Sequence, residues 1–277
     1  MKKVMFKSSD GLEVFGHLSL PESNGRQVPG VLFVTGGIHG GIRRKDGRYD
    51  PLHKRICQYF TERNFATFIV DKRGSRGHGE KYMSLLDFCG REIDDILAGA
   101  TYFKEAANIQ PGSLAIHGTS RGATAAALAI SRAEIFDAAI LSSGFFDILR
   151  QYKYDEVARP VDFPTKQVLQ GVPIEEFPHT RLSPIHNVAN VHCPVMIVHG
   201  LDDRVVPVEQ SLTYYEALRV HTDTKLVIYP NFAHFKLYSY PTNPVGRTYW
   251  EDCVAFLEKS LNRTSRNVIT IGRESTS

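Results

Sequence analysis

The sequence predicts an α/β fold: a mostly parallel sheet of about eight strands, helices on both faces, and a small insertion after the sixth strand. Three observations carry this. Short apolar runs without polar alternation recur along the 277 residues, as expected of strands covered on both faces. Segments with helical spacing separate these runs. A strand, helix, strand order then calls for right-handed crossovers, which lay the strands parallel.

The chain opens with a β-hairpin. Residues 4–7 and 12–20 flank Ser8-Ser9-Asp10-Gly11, whose Asp-Gly step favours a tight reversal, and these two strands form an antiparallel edge. Apolar runs at 30–35, 66–70, 114–117, 138–142, 195–199 and 226–229 supply the other six. Ile93, Ile96, Leu97, Ala100 and Phe103 fall on one helical face, as do Trp250, Cys253, Val254, Leu257 and Leu261. Residues 148–190 carry Pro160, Pro164, Pro173, Pro178 and Pro184, and the stretch is too long for a plain loop. It reads as an irregular or partly helical, cap-like insertion. Residues 1–262 are thus expected to form one domain, with 263–277 as a polar tail.

Composition narrows the function. Charged residues make up 23% of the chain, the formal net charge is +3, and the basic residues are scattered. That disfavours nucleic acid and anionic membranes as partners and leaves a small-molecule or short-peptide ligand. Met1-Lys2-Lys3-Val4-Met5-Phe6-Lys7 breaks up too soon for the apolar core of a signal peptide, so a cytoplasmic location is the expectation. Cys57, Cys89, Cys193 and Cys253 form no C-x-x-C pair, which points to buried or free thiols. Neither a metal nor an organic cofactor is implied. Oligomeric state is left open.

Gly118-Thr119-Ser120-Arg121-Gly122 has the form G-x-S-x-G. It follows the strand at 114–117 and precedes an alanine-rich helical segment, the setting of a nucleophile elbow; the bland reading is a tight turn with an inert serine. A serine hydroxyl is a weak nucleophile and needs a base and an acid that orients it. In this kind of fold they follow in the order Ser, Asp, His, each after a strand. The strand at 195–199 ends in Gly200-Leu201-Asp202-Asp203, and the last strand ends in Pro230-Asn231-Phe232-Ala233-His234. His234 is therefore the expected base. His117 and His199, at strand ends, are the alternatives and read as core or supporting groups, while His78 is a candidate pocket residue. Periodicity does not choose between Asp202 and Asp203.

Gly200, Asp203, Val206 and Pro207 resemble the G-x-x-D-x-x-V-P stretch around the acid of α/β-hydrolases, specifically the prolyl-oligopeptidase-like serine hydrolases. Asp71-Lys72-Arg73-Gly74-Ser75-Arg76-Gly77-His78-Gly79 is similar to the same group's R-G-S-x-G-x-G loop. Asp94-Asp95-Ile96-Leu97-Ala98-Gly99 and Arg181-Leu182-Ser183-Pro184 resemble two further segments. The resemblance spans most of residues 8–260. It implies the α/β-hydrolase fold, Asp203 as the acid, and cleavage of a peptide or ester bond.

Acyl transfer also needs donors aimed at the developing oxyanion. One is the backbone N–H of Arg121, directly after Ser120. Where related enzymes carry a tyrosine or His-Gly-Gly, this chain has Thr35 followed by Gly36-Gly37, so the Gly37 N–H is the expected second donor, with Thr35 in support. In the run Arg43-Arg44-Lys45-Asp46-Gly47-Arg48, Arg43 and Arg44 are candidates to bind a substrate anion, against the reading of a solvated face. Phe145, Phe146 and Tyr152 are candidates to line an apolar pocket, against simple packing. The expected function is a serine hydrolase forming an acyl-enzyme on Ser120. An acyltransferase or cyclase using the same three residues, and a noncatalytic binding module, are the alternatives.

Overall fold

The computed structural model describes residues 1–43, 48–160, 165–166, 169, 172–234, 241 and 244–261. Arg44, part of the insertion and the polar tail lie outside the described residues. Eight strands form one sheet: β1 (Lys2–Lys7), β2 (Glu13–Ser19), β3 (Val28–Val34), β4 (Ala66–Asp71), β5 (Ile109–Thr119), β6 (Ala138–Ser142), β7 (Val195–Gly200) and β8 (Thr224–Tyr229). Their order is β1-β2-β4-β3-β5-β6-β7-β8. β1 pairs antiparallel with β2 and β2 with β4, and every later pairing is parallel.

The helices that flank this sheet are α1 (Pro51–Thr61), α2 (Glu80–Met83), α3 (Glu92–Ala106), α4 (Arg121–Arg132), α5 (Ile148–Ala158), α6 (His179–Leu182), α7 (Glu209–Leu218) and α8 (Pro244–Leu261). Every residue of β4, β6 and β7 is buried, the burial expected of central strands between two helical layers. Side chains alternate between the faces. Val31, Phe33, Met196 and Val198 pack with Phe60 of α1 and Trp250 and Leu257 of α8. Leu32, Val34, Val195 and Ile197 pack with α3, α4 and α7 through Phe103, Leu128 and Tyr214. The spaced apolar residues of α3 and α8 are those that face these cores.

One strand is longer than its apolar run. The pattern predicts 114–117, whereas β5 spans Ile109–Thr119, because Val28 pairs with Ile109 before a register shift leads to the Gly30–Leu114 pair. Such an irregularity accommodates Pro111 and Gly112 in a strand. Within 148–190 the described residues form α5, α6 and two short 3₁₀ turns. Among the described residues, no helix is long and apolar enough to cross a membrane.

Candidate active site

β5 passes into α4 through Ser120, which has φ 55° and ψ −127°. Positive φ is costly for a residue with a side chain, and the surroundings impose it. Ser120 N–H donates to the Ser142 carbonyl at 2.8 Å, and the Ser120 carbonyl accepts from Ala123 N–H at 2.8 Å. The two glycines permit close packing. A Cβ at Gly118 would stand 2.3 Å from the Gly122 carbonyl oxygen, and one at Gly122 would stand 2.2 Å from that of Val34. Neither separation is tolerated, so the helix approaches the sheet this closely only with glycine at both positions.

The parallel topology gathers the carboxyl ends of β5, β7 and β8 at one edge of the sheet. There His234 Nε2 lies 2.9 Å from Ser120 Oγ, and His234 Nδ1 lies 2.6 Å from Asp203 Oδ2. Asp203 is buried and Asp202 is exposed, which separates the two adjacent carboxylates. The other Asp203 oxygen accepts from Val205 N–H at 2.8 Å and Val206 N–H at 2.9 Å. His199 Nε2 is also close to Asp203, at 3.2 Å, and to the Val206 carbonyl at 3.0 Å. Both neighbours are acceptors, which places the proton of His199 on Nε2. Burial by itself would raise the Asp203 pKa, but bonds from His199, His234 and the loop amides hold it well below the usual carboxylate range. The acid is thus kept ionised and pinned in place. His117 is elsewhere, bonded through Nε2 to the Tyr249 hydroxyl at 2.6 Å; burial pushes its pKa down to about 3.

Gly37 and Arg121 both border the cavity at Ser120, and neither backbone N–H meets an acceptor among the described residues. Gly37 has φ +80°, and a Cβ there would meet open space. The Arg121 side chain has a different task from its amide. Its Nε donates to the Gly37 carbonyl at 2.8 Å, and its Nη1 lies 2.8 Å from each oxygen of the fully buried Glu92. Lys72 Nζ stands 3.3 Å from Glu92. One buried carboxylate therefore ties the glycine loop to the start of α4. No motif announces Glu92; only tertiary packing brings it under the loop.

The cavity has a volume of about 820 Å³, within the common size for small-molecule sites. Thr35, Arg43 and Phe145 border it, as do His53, Gln151 and Asp155, which sequence reasoning did not single out. The Thr35 hydroxyl is buried with no partner among the described residues. Three pocket candidates are placed elsewhere. His78 stacks on Phe15 with centroids 3.9 Å apart and bonds Asp71 at 2.8 Å. Phe146 is fully buried and stacks on Tyr214 at 4.1 Å. Tyr152 is half-buried against the larger core. His78 and Phe146 follow strand ends in sequence, but their side chains are taken up in packing.

Among the described residues, His17, Asp71 and His78 form the one group with the chemistry to hold a metal ion. Both His Nε2 atoms contact Asp71 Oδ2, at 3.0 and 2.8 Å. His17 lies 54 residues before Asp71, so no sequence spacing links it to the other two. These residues do not border the Ser120 cavity. Asp71 also accepts from Ile42 N–H at 2.9 Å, which anchors the end of the glycine loop.

Comparison with known proteins places this geometry in a family. The chain is 28% identical over 231 residues to the uncharacterized peptidase YtmA of Bacillus subtilis, covering 82% of this chain and 83% of that protein. It is 25% identical over 238 residues to the uncharacterized peptidase YuxL of the same organism, where it covers 84% of itself but 35% of the relative. Among solved structures, Pyrococcus horikoshii acylaminoacyl peptidase superposes with a TM-score of 0.79 and 25% identity, over 94% of this chain and 41% of that one. The chain thus spans well under half the length of some relatives. The profile of the prolyl oligopeptidase family matches residues 53–264, and the chain belongs to that family.

Proposed function

We propose that this protein is a serine peptidase or esterase that cleaves a short peptide or another small acyl substrate through an acyl-enzyme on Ser120. The observation that carries this is the unbroken line from Ser120 Oγ through His234 to Asp203, at 2.9 and 2.6 Å, opening on a cavity. His234 takes the Ser120 proton as Oγ bonds to the carbonyl carbon. The Gly37 and Arg121 amides stabilise the oxyanion. His234 then protonates the leaving amine or alcohol as the scissile bond breaks. Water, deprotonated by His234, releases the acyl group and restores the serine.

Membership of the prolyl oligopeptidase family supports peptide cleavage. The insertion serves as one wall of the substrate site, since Gln151, Asp155, Arg159 and Thr165 border the cavity. A cytoplasmic location fits the four free, buried cysteines.

A fluorophosphonate probe and a panel of aminoacyl amides and aryl esters test the proposal. Wild type should label and turn over, Ser120→Ala should do neither, and His234→Ala should lose turnover by about 10³-fold or more. Labelling that survives Ser120→Ala would refute the nucleophile.

A further inference from the structure

The insertion wall of the cavity contains a charge that the hydrolytic mechanism does not use. Asp155, on α5, is 1% exposed, and Gln151, one helical turn earlier, is 3% exposed; both border the cavity. Gln151 Nε2 donates to Asp155 Oδ1 at 3.1 Å and to the Val205 carbonyl at 3.0 Å. Asp155 Oδ2 accepts from the Thr165 N–H at 3.2 Å and from the Thr165 hydroxyl. All these donors are neutral, and Asp155 forms no ion pair with any described residue. A carboxylate out of water normally requires a cation.

Gln151 shows the same deficit. Because its amide nitrogen faces two acceptors, its oxygen is the atom left over, and Oε1 is buried without a partner. Two acceptors with unused capacity therefore sit side by side at the cavity wall. Arg159, one helical turn after Asp155, also borders the cavity but forms no ion pair with Asp155, and three further cations there are committed elsewhere. Arg121 is on Glu92, Arg76 donates to the His39 carbonyl at 2.8 Å, and Arg43 stacks on Tyr49 at 4.4 Å.

We infer that Gln151 and Asp155 form a subsite for a positively charged group of the substrate, such as a lysine or arginine side chain or a free amine. The inference rests on the hydrolase reading of the site. An ammonium or guanidinium entering there donates to Gln151 Oε1 and to the remaining capacity of Asp155, and it supplies the missing countercharge. A neutral chain of equal length leaves both acceptors unsatisfied. Discrimination by charge follows.

The test compares lysine with norleucine, a neutral residue of similar shape, on either side of the scissile bond in short peptide amides and esters. Wild type should prefer lysine on one side by at least 10-fold in kcat/KM. Asp155→Asn should lower kcat/KM for lysine substrates at least 10-fold more than for norleucine substrates, with fluorophosphonate labelling of Ser120 reporting that the variant is folded. Gln151→Met, which removes the free amide oxygen and keeps Asp155, should narrow the preference and covers the case in which Asp155→Asn folds poorly. Labelling with no lysine preference would overturn the subsite alone. If wild type fails to label, the hydrolase reading fails, and calorimetry with hexylamine against hexanol still decides the subsite: it stands only if the amine binds at least 10-fold more tightly and Asp155→Asn abolishes the difference.

Discussion

Replacing Glu92 by glutamine should unfold the loop support in a pH-dependent way. Glu92 is fully buried between two cations, with Arg121 Nη1 2.8 Å from both oxygens and Lys72 Nζ at 3.3 Å. Burial would raise its pKa, but the two cations hold it below the usual range. Removing the charge leaves two cations facing each other out of water, which costs about 3–5 kcal/mol at neutral pH. Lys72 sets the pH trend. Its pKa is depressed from 10.5 to about 8, first by burial and then by the Arg121 charge.

A lysine depressed on folding costs stability in full below its folded value, and the cost fades as pH rises to the unfolded value. Without Glu92, which raises it, the Lys72 pKa falls further still, so the variant regains stability relative to wild type as pH rises towards 8, where wild type begins to lose the same cost. One pH unit corresponds to about 1.4 kcal/mol. The stability difference should therefore shrink between pH 7 and pH 9, by at most about 1.4 kcal/mol. Urea unfolding of wild type, Glu92→Gln and Glu92→Gln/Lys72→Met at both pH values reads this directly, and the double variant should be flat with pH. A loss under about 1 kcal/mol at pH 7, or a difference that does not change with pH, would refute the reasoning.

Two other outcomes follow from the same structure. Gly122→Ala places a Cβ 2.2 Å from the Val34 carbonyl oxygen and should cost about 3 kcal/mol or more along with Ser120 labelling; wild-type unfolding and labelling would show that α4 does not pack this tightly. Asp71 is held at about 2 against 3.8, since the hydrogen bonds from His17 and His78, the His17 charge and the bond from Ile42 N–H outweigh its burial. Its contribution is present above 3.8 and lost as pH falls through 2, so the stability gap between wild type and Asp71→Asn should narrow by about 2 kcal/mol from pH 5 to pH 2, and a constant gap would refute the assignment.

The strand count, the parallel core and the antiparallel hairpin were legible in the chain because apolar run length and turn chemistry are local properties. Ser120, Asp203 and His234 were legible as an ordered set because each closely follows a strand, and a parallel sheet delivers those ends to one edge. Choosing Asp203 over Asp202 needed either a family resemblance or the fold, since neighbouring carboxylates look alike until one is buried beside His199 and His234. The direction of a side chain lay beyond local pattern. His78 and Phe146 sit near the right loops yet are held in packing, whereas Gln151 and Asp155 face the cavity from an insertion with no distinctive motif.

By itself, then, the sequence determined the architecture and the chain order of the residues at the sheet edge, through periodicity, glycine placement and strand-end position. Tertiary structure alone decided which charges meet: Glu92 with Arg121 and Lys72, Asp71 with His17 and His78, and Asp155 with neutral donors only. The physical reason is that electrostatics depends on distance and burial in space, and position along the chain, 20 residues apart for Lys72 and Glu92 and 54 for His17 and Asp71, carries neither.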